Sequence, residues 1–299
     1  VYNEVGFTEL GLQEGRQSVS LDPTNYSAHR LLADSYAALP GVEVARVSEL
    51  LQAQLLQPIN ITPVQPQMAE TRLLMPSAVT TFSLYEFTPL FVRNQPNLWV
   101  SALGGNQSTW GDNLIVSGLT DRASYSLGQF HYQSDGYREN NDLKNDIYNL
   151  FGQVAVTPDF NLQAEYRRRE TTNGDLKSSF NGIFSTKQRR NIDQDMIRIG
   201  ANYALSPQTN LIASSVYTDR SNTLSGPGIV LATRSKFYQE EAQLLHKTDN
   251  LNFIAGLGTI SSDDISSGSE QSPTISNAQN IGYGYANIKL PENVVWTIG

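Results

Sequence analysis

The sequence predicts a mainly β chain: an antiparallel barrel of the membrane-crossing kind, with about eleven strands visible, preceded by an α-helical segment. Three observations predict it. From Asn97 onward apolar and polar residues alternate with period two. Tight and long connections take turns along the chain, and aromatic residues gather near the strand ends. The expected units are a helical segment over 1–57, a Pro-rich linker or latch over 58–96, and a partial barrel over 97–299.

Composition excludes several alternatives. The 299 residues carry Lys+Arg 21 against Asp+Glu 29, a net charge of -8, with 39% hydrophobic and 17% charged residues. Both fractions lie below the roughly 45–50% and about 25% of ordinary soluble domains. Ser, Thr, Asn and Gln fill the difference, yet 14 Tyr, 11 Phe and 3 Trp are too many for a disordered acidic chain. The acidic balance argues against a nucleic-acid partner. No run reaches the roughly 18 apolar residues of a membrane helix. Cys is absent, which removes disulfides, thiolate metal sites and a Cys nucleophile. No signal peptide is visible after Val1, so the chain reads as an internal piece of something longer.

The helical segment has clear punctuation. Asp22-Pro23 marks a boundary, because Pro suits a helix start and disfavours helix just before it. Tyr26, Leu31, Leu32, Ser35 and Tyr36 then recur at helical spacing, and Pro40-Gly41 breaks the run. Val44, Val47, Leu50, Leu51 and Leu55 form one stripe of the next helix, which Pro58 stops. Leu12 to Leu21 reads as a helix closing a preceding unit. Prolines 58, 63, 66, 76, 89 and 96 then forbid long helices and central strands. Within that passage the aromatic run Phe82–Phe91 either tucks beneath the strands after it or forms a small plug at a barrel mouth.

Strands are expected near 97–104, 112–120, 123–132, 145–157, 160–170, 194–205, 208–218, 235–247, 251–261, 280–290 and 293–299. Tight turns fall at 120–122, 157–159, 206–208, 248–250 and 290–292. Long polar loops fall at 105–111, 133–144, 171–193, 219–234 and 262–279. Strict alternation of this kind is the layout of an outer-membrane barrel, with short periplasmic turns and long external loops. About ten residues at roughly 3.3 Å each, tilted about 45°, span the ~25 Å apolar band. Trp99, Tyr125, Tyr132, Phe160, Tyr217, Tyr238, Tyr283 and Trp296 are placed as an interface girdle would be. Leu150, Val154, Leu162, Tyr166, Ile197 and Ile199 share apolar faces and are expected to meet lipid. Asn149, Gln153, Gln163, Glu165, Arg167, Arg198 and Asn202 fall opposite, as lumen-facing residues. Strands three and seven alternate too poorly for their faces to be assigned. An odd strand number ending in mid-pattern implies further strands, since bacterial single-chain barrels have even numbers.

The helix-turn-helix from Pro23 to Pro58, with Leu21-Asp22-Pro23, Asn25, Ala28-His29, Leu32-Ala33 and Tyr36, resembles a tetratricopeptide repeat in wording and length. Residues 84–153, with LYEFTPLFVRN, LGQFHYQSDGYRENND and IYNLFGQ, resemble bacterial outer-membrane proteins that carry periplasmic tetratricopeptide repeats before a barrel. The barrel is similar in texture to TonB-dependent receptors, and the order of parts resembles exporters of poly-N-acetylglucosamine. The resemblance implies transport or export of a substrate or polymer through the outer membrane. It also implies contacts with lipid and lipopolysaccharide, and periplasmic repeats that bind a protein or polymer. Asn25, His29 and Arg30 on the first repeat helix are the candidate partner contacts. A surface adhesin or scaffold anchored by its barrel is the alternative, and a TonB-dependent-like uptake receptor a further one. Against the last, helices and some forty residues stand where a globular plug would, and no TonB box is visible.

No catalytic constellation emerges, and no enzyme, cofactor or metal site is expected. The histidines are His29, His131 and His246. His131 has Asp135 nearby, but no nucleophile or second acid is fixed beside it. Arg167-Arg168-Arg169 with Lys187, Arg189 and Arg190 suit either lipopolysaccharide phosphates or a solvated loop rim. Asp263-Asp264 and the Asp135–Asp142 run lack calcium-loop spacing.

Overall fold

A computed structural model describes residues 8–36, 43–57, 94–176, 184–267, 274–289 and 296–299. Residues 58–93 of the expected connector, with its aromatic run over 82–91, lie outside the described residues. Three helices come first: α1 (Thr8–Leu21), α2 (Tyr26–Tyr36) and α3 (Glu43–Leu56). Asn25 caps α2, its Oδ1 accepting the backbone N–H groups of Ser27 (3.0 Å) and Ala28 (3.3 Å), which are otherwise orphaned at a helix start. Asp22 Oδ1 holds the preceding turn by accepting from the backbone N–H (3.1 Å) and hydroxyl (2.7 Å) of Thr24. Gly15 lets α1 approach α2, because a Cβ there would stand 2.9 Å from Leu32 Cδ2.

Among the described residues the strands number eleven, in one antiparallel meander: β1 (Pro96–Gly104), β2 (Trp110–Leu119), β3 (Ala123–Ser134), β4 (Leu143–Thr157), β5 (Phe160–Asn173), β6 (Arg189–Ser206), β7 (Thr209–Gly226), β8 (Ile229–Lys247), β9 (Leu251–Ser267), β10 (Ile275–Ile288) and β11 (Trp296–Ile298). Each strand pairs with its chain neighbours, and β1 and β11 form the two edges of an open sheet. Two of the short turns use one device. Thr120 and Thr248 each accept the N–H three residues on through Oγ1, at 3.0 Å from Ala123 and from Leu251. The two turns built on Pro158 and Pro207 instead end strands that carry a register shift, at Ala155/Thr157 and Ala204/Ser206.

Two expectations need correction. The helices are present, but among the described residues there are three short ones and no tetratricopeptide segment. A lone helix pair must bury its apolar stripe somewhere. Here Leu51 and Leu55 of α3 bury theirs against the sheet, in a cluster with Met196, Ile212, Val216 and Leu245. Gly200 makes room, since a Cβ there would lie 2.8 Å from Leu55 Cδ1. The second correction concerns the expected long loop at 219–234. β7 and β8 continue through it, pairing Asp219 with Lys236 and Gly226 with Ile229 around the two-residue turn Pro227-Gly228. Gly228 has φ +75°, the left-handed value required after Pro at the corner of a type II turn. Asp219 to Thr223 are all polar and half-buried, so they carry no apolar alternation. Backbone pairing persists where the hydrophobic signal has stopped.

Candidate functional site

The pleat sorts every side chain of the sheet to one of two faces. The helix-covered face carries Asn149 on β4, Gln163, Glu165 and Arg167 on β5, and Arg198 and Asn202 on β6, all buried, with Gln153 half-buried. All seven residues expected to face a lumen lie on this face. β3 and β7 now have assigned faces too: Ser124, Ser126 and Phe130, and Ile212 and Val216, point the same way. The opposite face exposes Leu150, Val154, Leu162, Tyr166, Ile197 and Ile199, the set expected to meet lipid. Along the edge of this band Tyr148, Tyr166, Tyr217 and Tyr238 run across β4, β5, β7 and β8, the last two with ring centroids 4.7 Å apart. Directly beyond this row the same face turns charged, with Arg168 against Glu170 (2.8 Å) and Asp195 (3.5 Å), and Arg234 against Asp219 (2.6 Å). Of the expected girdle, Trp99, Tyr132 and Tyr283 lie on the helix-covered face instead, a distinction that position near a strand end does not make.

The buried centre of the polar face is an ion pair. Arg198, 1% exposed, contacts Glu165 Oε2, while Asn149 Nδ2 donates to Glu165 Oε1 at 2.6 Å. Farther along, Arg169 Nε donates to Thr171 Oγ1 (3.1 Å), whose hydroxyl donates to Asn145 (2.8 Å). The run Arg167-Arg168-Arg169 is thus divided: the outer two are on the helix-covered face and Arg168 on the other. Arg189 is engaged separately with Asp142 at 2.5 Å, so these cations do not assemble into one patch.

The helices sit over the short-turn half of this face and touch it in two places. One is the apolar cluster of α3 on β6, β7 and β8, backed by Asn202 Nδ2 donating to the Leu55 carbonyl at 2.9 Å. Gln163 Nε2 also reaches Gln54 Oε1 at 3.5 Å, and Gln239 Nε2 of β8 donates to Ser48 Oγ of α3 at 3.3 Å. The other is a polar rim on β8–β10. Asn252 donates to the Leu21 carbonyl (2.7 Å), Asn287 to the Ser20 carbonyl, and Lys247 Nζ lies 2.5 Å from Asp22 Oδ2. Amides of the sheet thereby satisfy the last carbonyls of α1, which the helix itself leaves without partners. The two attachments differ in strength. Burying two leucines contributes roughly 1.5–3 kcal/mol each. A typical hydrogen bond nets about 0.5–1.5 kcal/mol, and an exposed ion pair about 0–1 kcal/mol.

Between these attachments lies a cavity of about 730 Å³, within the roughly 300–1,000 Å³ of small-molecule sites. The sheet supplies Phe237, Gln239, Glu241 and Gln243 of β8, Asn252 and Ile254 of β9, and Tyr283, Tyr285 and Asn287 of β10. The helices supply Arg16, Ser20, His29, Tyr36, Ser48, Glu49 and Gln52. Tyr283 lies flat over Gly256, where an added Cβ would stand 2.3 Å from its ring, and donates its hydroxyl to Glu241 at 2.5 Å.

The candidate partner contacts have structural employment. Asn25 is the cap described above. His29 is 4% exposed, with Nδ1 2.6 Å from Glu49 Oε2 and Nε2 2.8 Å from the Pro23 carbonyl. Burial alone would lower the His29 pKa, but the hydrogen bond and charge of Glu49, with Pro23 and Asp22, outweigh it and the net shift is upward. Arg30 is half-buried beside it. His131, on the outward face, has Nδ1 2.5 Å from Asp146 and its ring 4.3 Å from that of Trp110. Glu49, Glu241, Tyr283, Asn252 and Asn287 do not stand out in the sequence as a site. For the four on the sheet the only signal is inward register on β8–β10, which requires knowing which face the helices cover.

Solved structures share this fold. The copper transporter OprC aligns with TM-score 0.56 and 10% identity, over 66% of this chain and 35% of that one. The ferripyoverdine receptor of the outer membrane of Pseudomonas aeruginosa aligns with TM-score 0.56 and 8% identity, over 68% and 36%. The alcaligin outer-membrane receptor FauA from Bordetella pertussis aligns with TM-score 0.52 and 15% identity, over 69% and 36%. The chain therefore has the fold of an outer-membrane β-barrel and spans about a third of these proteins, which are a transporter and receptors rather than enzymes. No family model matches it. No curated protein matches it.

Proposed function

We propose that this chain is part of an outer-membrane barrel that passes a substrate between the medium and the periplasm. Its helix-covered face is the lumen wall, and the helices occupy the lumen at the periplasmic end. One observation carries the reading: the helices and the buried polar row share a face, while the opposite face is an exposed apolar band edged by tyrosines. Charged groups are costly against acyl chains and ordinary in a wet channel. The apolar band meets lipid, and the charged row beyond the tyrosines lies at headgroup level, where lipopolysaccharide would contact it.

The test is conductance of the full-length protein in planar bilayers, beside a variant lacking residues 8–57. The expected result is a small conductance that rises several-fold on deletion, with the barrel still heat-modifiable. No conductance in either form would overturn the reading. It would leave the barrel as an anchor for its outer loops, a role favoured by one observation. Residues 135–142 and the described residues 184–188 of the next loop are locked together, with Asn140 donating to the Ser185 (2.8 Å) and Gln188 (2.9 Å) carbonyls and Arg138 lying 3.9 Å over the Phe184 ring.

A further inference from the structure

We propose that the three helices are a rocking gate, pivoting on the apolar seat of α3 and unlatching at the polar rim formed by Asn252, Asn287 and Lys247. The inference rests on reading the helix-covered face as a lumen, and it adds to that reading which contacts open and which stay closed.

The helices move as one body because they are tied to each other more firmly than to the sheet. Leu12, Ala28, Leu32, Ala33 and Ala53 are buried, and the enclosed His29–Glu49 pair fastens α2 to α3. Against the sheet, α3 has the apolar seat with hydrogen bonds beside it, Gln239 to Ser48 among them, whereas α1 and the turn after it have only a rim of side-chain amides and an ion pair. The rim contacts are made by the α1 C-terminus and the turn after it, Ser20 to Asp22, and consist of hydrogen bonds and an ion pair alone. Water replaces an amide or a Lys–Asp contact readily, whereas it cannot replace the packing of Leu51 and Leu55. The cavity lies between the seat and the rim, so lifting the rim opens that cavity to the short-turn side while Met196 stays covered. Two-point attachment of unequal strength makes the direction of opening a property of the fold.

The absence of cysteine allows a clean test with single reporters in the full-length protein. Gln243→Cys reports the cavity, with Phe237→Cys as a second cavity reporter, and Met196→Cys reports the seat. Each is labelled with a polyethylene-glycol maleimide in membranes, with an unaltered rim and with the rim weakened by Asp22→Asn and Asn252→Ala. The expected result is about tenfold faster labelling of the cavity reporters on weakening the rim, with Met196→Cys unchanged, as local opening requires. Equal acceleration at Met196→Cys would mean that the whole helical unit detaches, and no acceleration at either cavity reporter would mean that the rim is no latch. Either outcome overturns the proposal. Conductance of the same variants is a separate readout: faster cavity labelling without any current sinks the passage and leaves the latch standing.

Discussion

At the scale of single residues, the two faces of β5 make opposite demands on neighbouring positions. Leu162 points into the apolar band and Gln163 toward the helices. An Arg at Leu162 is expected to cost roughly 2–4 kcal/mol if it lies at mid-bilayer, less toward an interface. Urea titration of the barrel in lipid vesicles measures this, with Gln163→Arg as the comparison. The Glu165–Arg198 pair behaves differently. Its geometry is buried and supplemented by Asn149, so removing one partner strands a charge. Glu165→Ala is expected to destabilise by about 3–5 kcal/mol, and replacing both residues by apolar ones of similar volume by much less. A double-mutant cycle in the same unfolding assay separates the two effects.

At the scale of elements, the helical unit carries its own pH dependence. The His29 pKa is raised above 6.5, so its contribution is fully present below that value and is lost as pH rises through the folded-state value. Asp22 runs the other way. Burial would raise its pKa, but Lys247 and Thr24 prevail and hold it below 3.8, so its contribution is lost as pH falls through the folded-state value. Protease protection of the helices is expected to be greatest between these limits, and His29→Ala is expected to flatten the alkaline side. Gly200 tests the seat independently. A leucine there meets Leu51 and Leu55 directly, and the expected outcome is proteolysis of the helices while the strands stay resistant.

At the scale of the molecule, strand length and turn length together set the orientation. β6 to β9 have 18, 18, 19 and 17 residues, longer than the band requires. Eighteen residues at roughly 3.3 Å, tilted about 45°, rise some 40 Å against an apolar band of ~25 Å, so paired strands extend past the tyrosine row. In intact cells, Gly226→Cys at the tip of β7–β8 is expected to react with an impermeant maleimide, and Asp249→Cys at a short turn to react only after the outer membrane is opened. The reverse pattern would invert the topology and put the helices at the outer mouth.

The sequence by itself determined the number and order of the strands, the faces of β4, β5 and β6, and the three helices. All of these rest on local periodicity and on proline and glycine punctuation, which act over a few residues. Only the tertiary structure decided where the helices lie. An apolar stripe such as Leu51 and Leu55 specifies that it must be buried, not what buries it, and a repeat neighbour and a barrel wall satisfy that need equally. The ends of β6 to β9 also escaped, because hydrophobic alternation reports a boundary between oil and water, whereas backbone pairing continues into water for as long as the partner strand does. Glu241, Tyr283, Asn252 and Asn287 became a site for the same reason: residues distant in sequence acquire a common purpose only when the register of β8–β10 and the docking of α1 set them around one cavity.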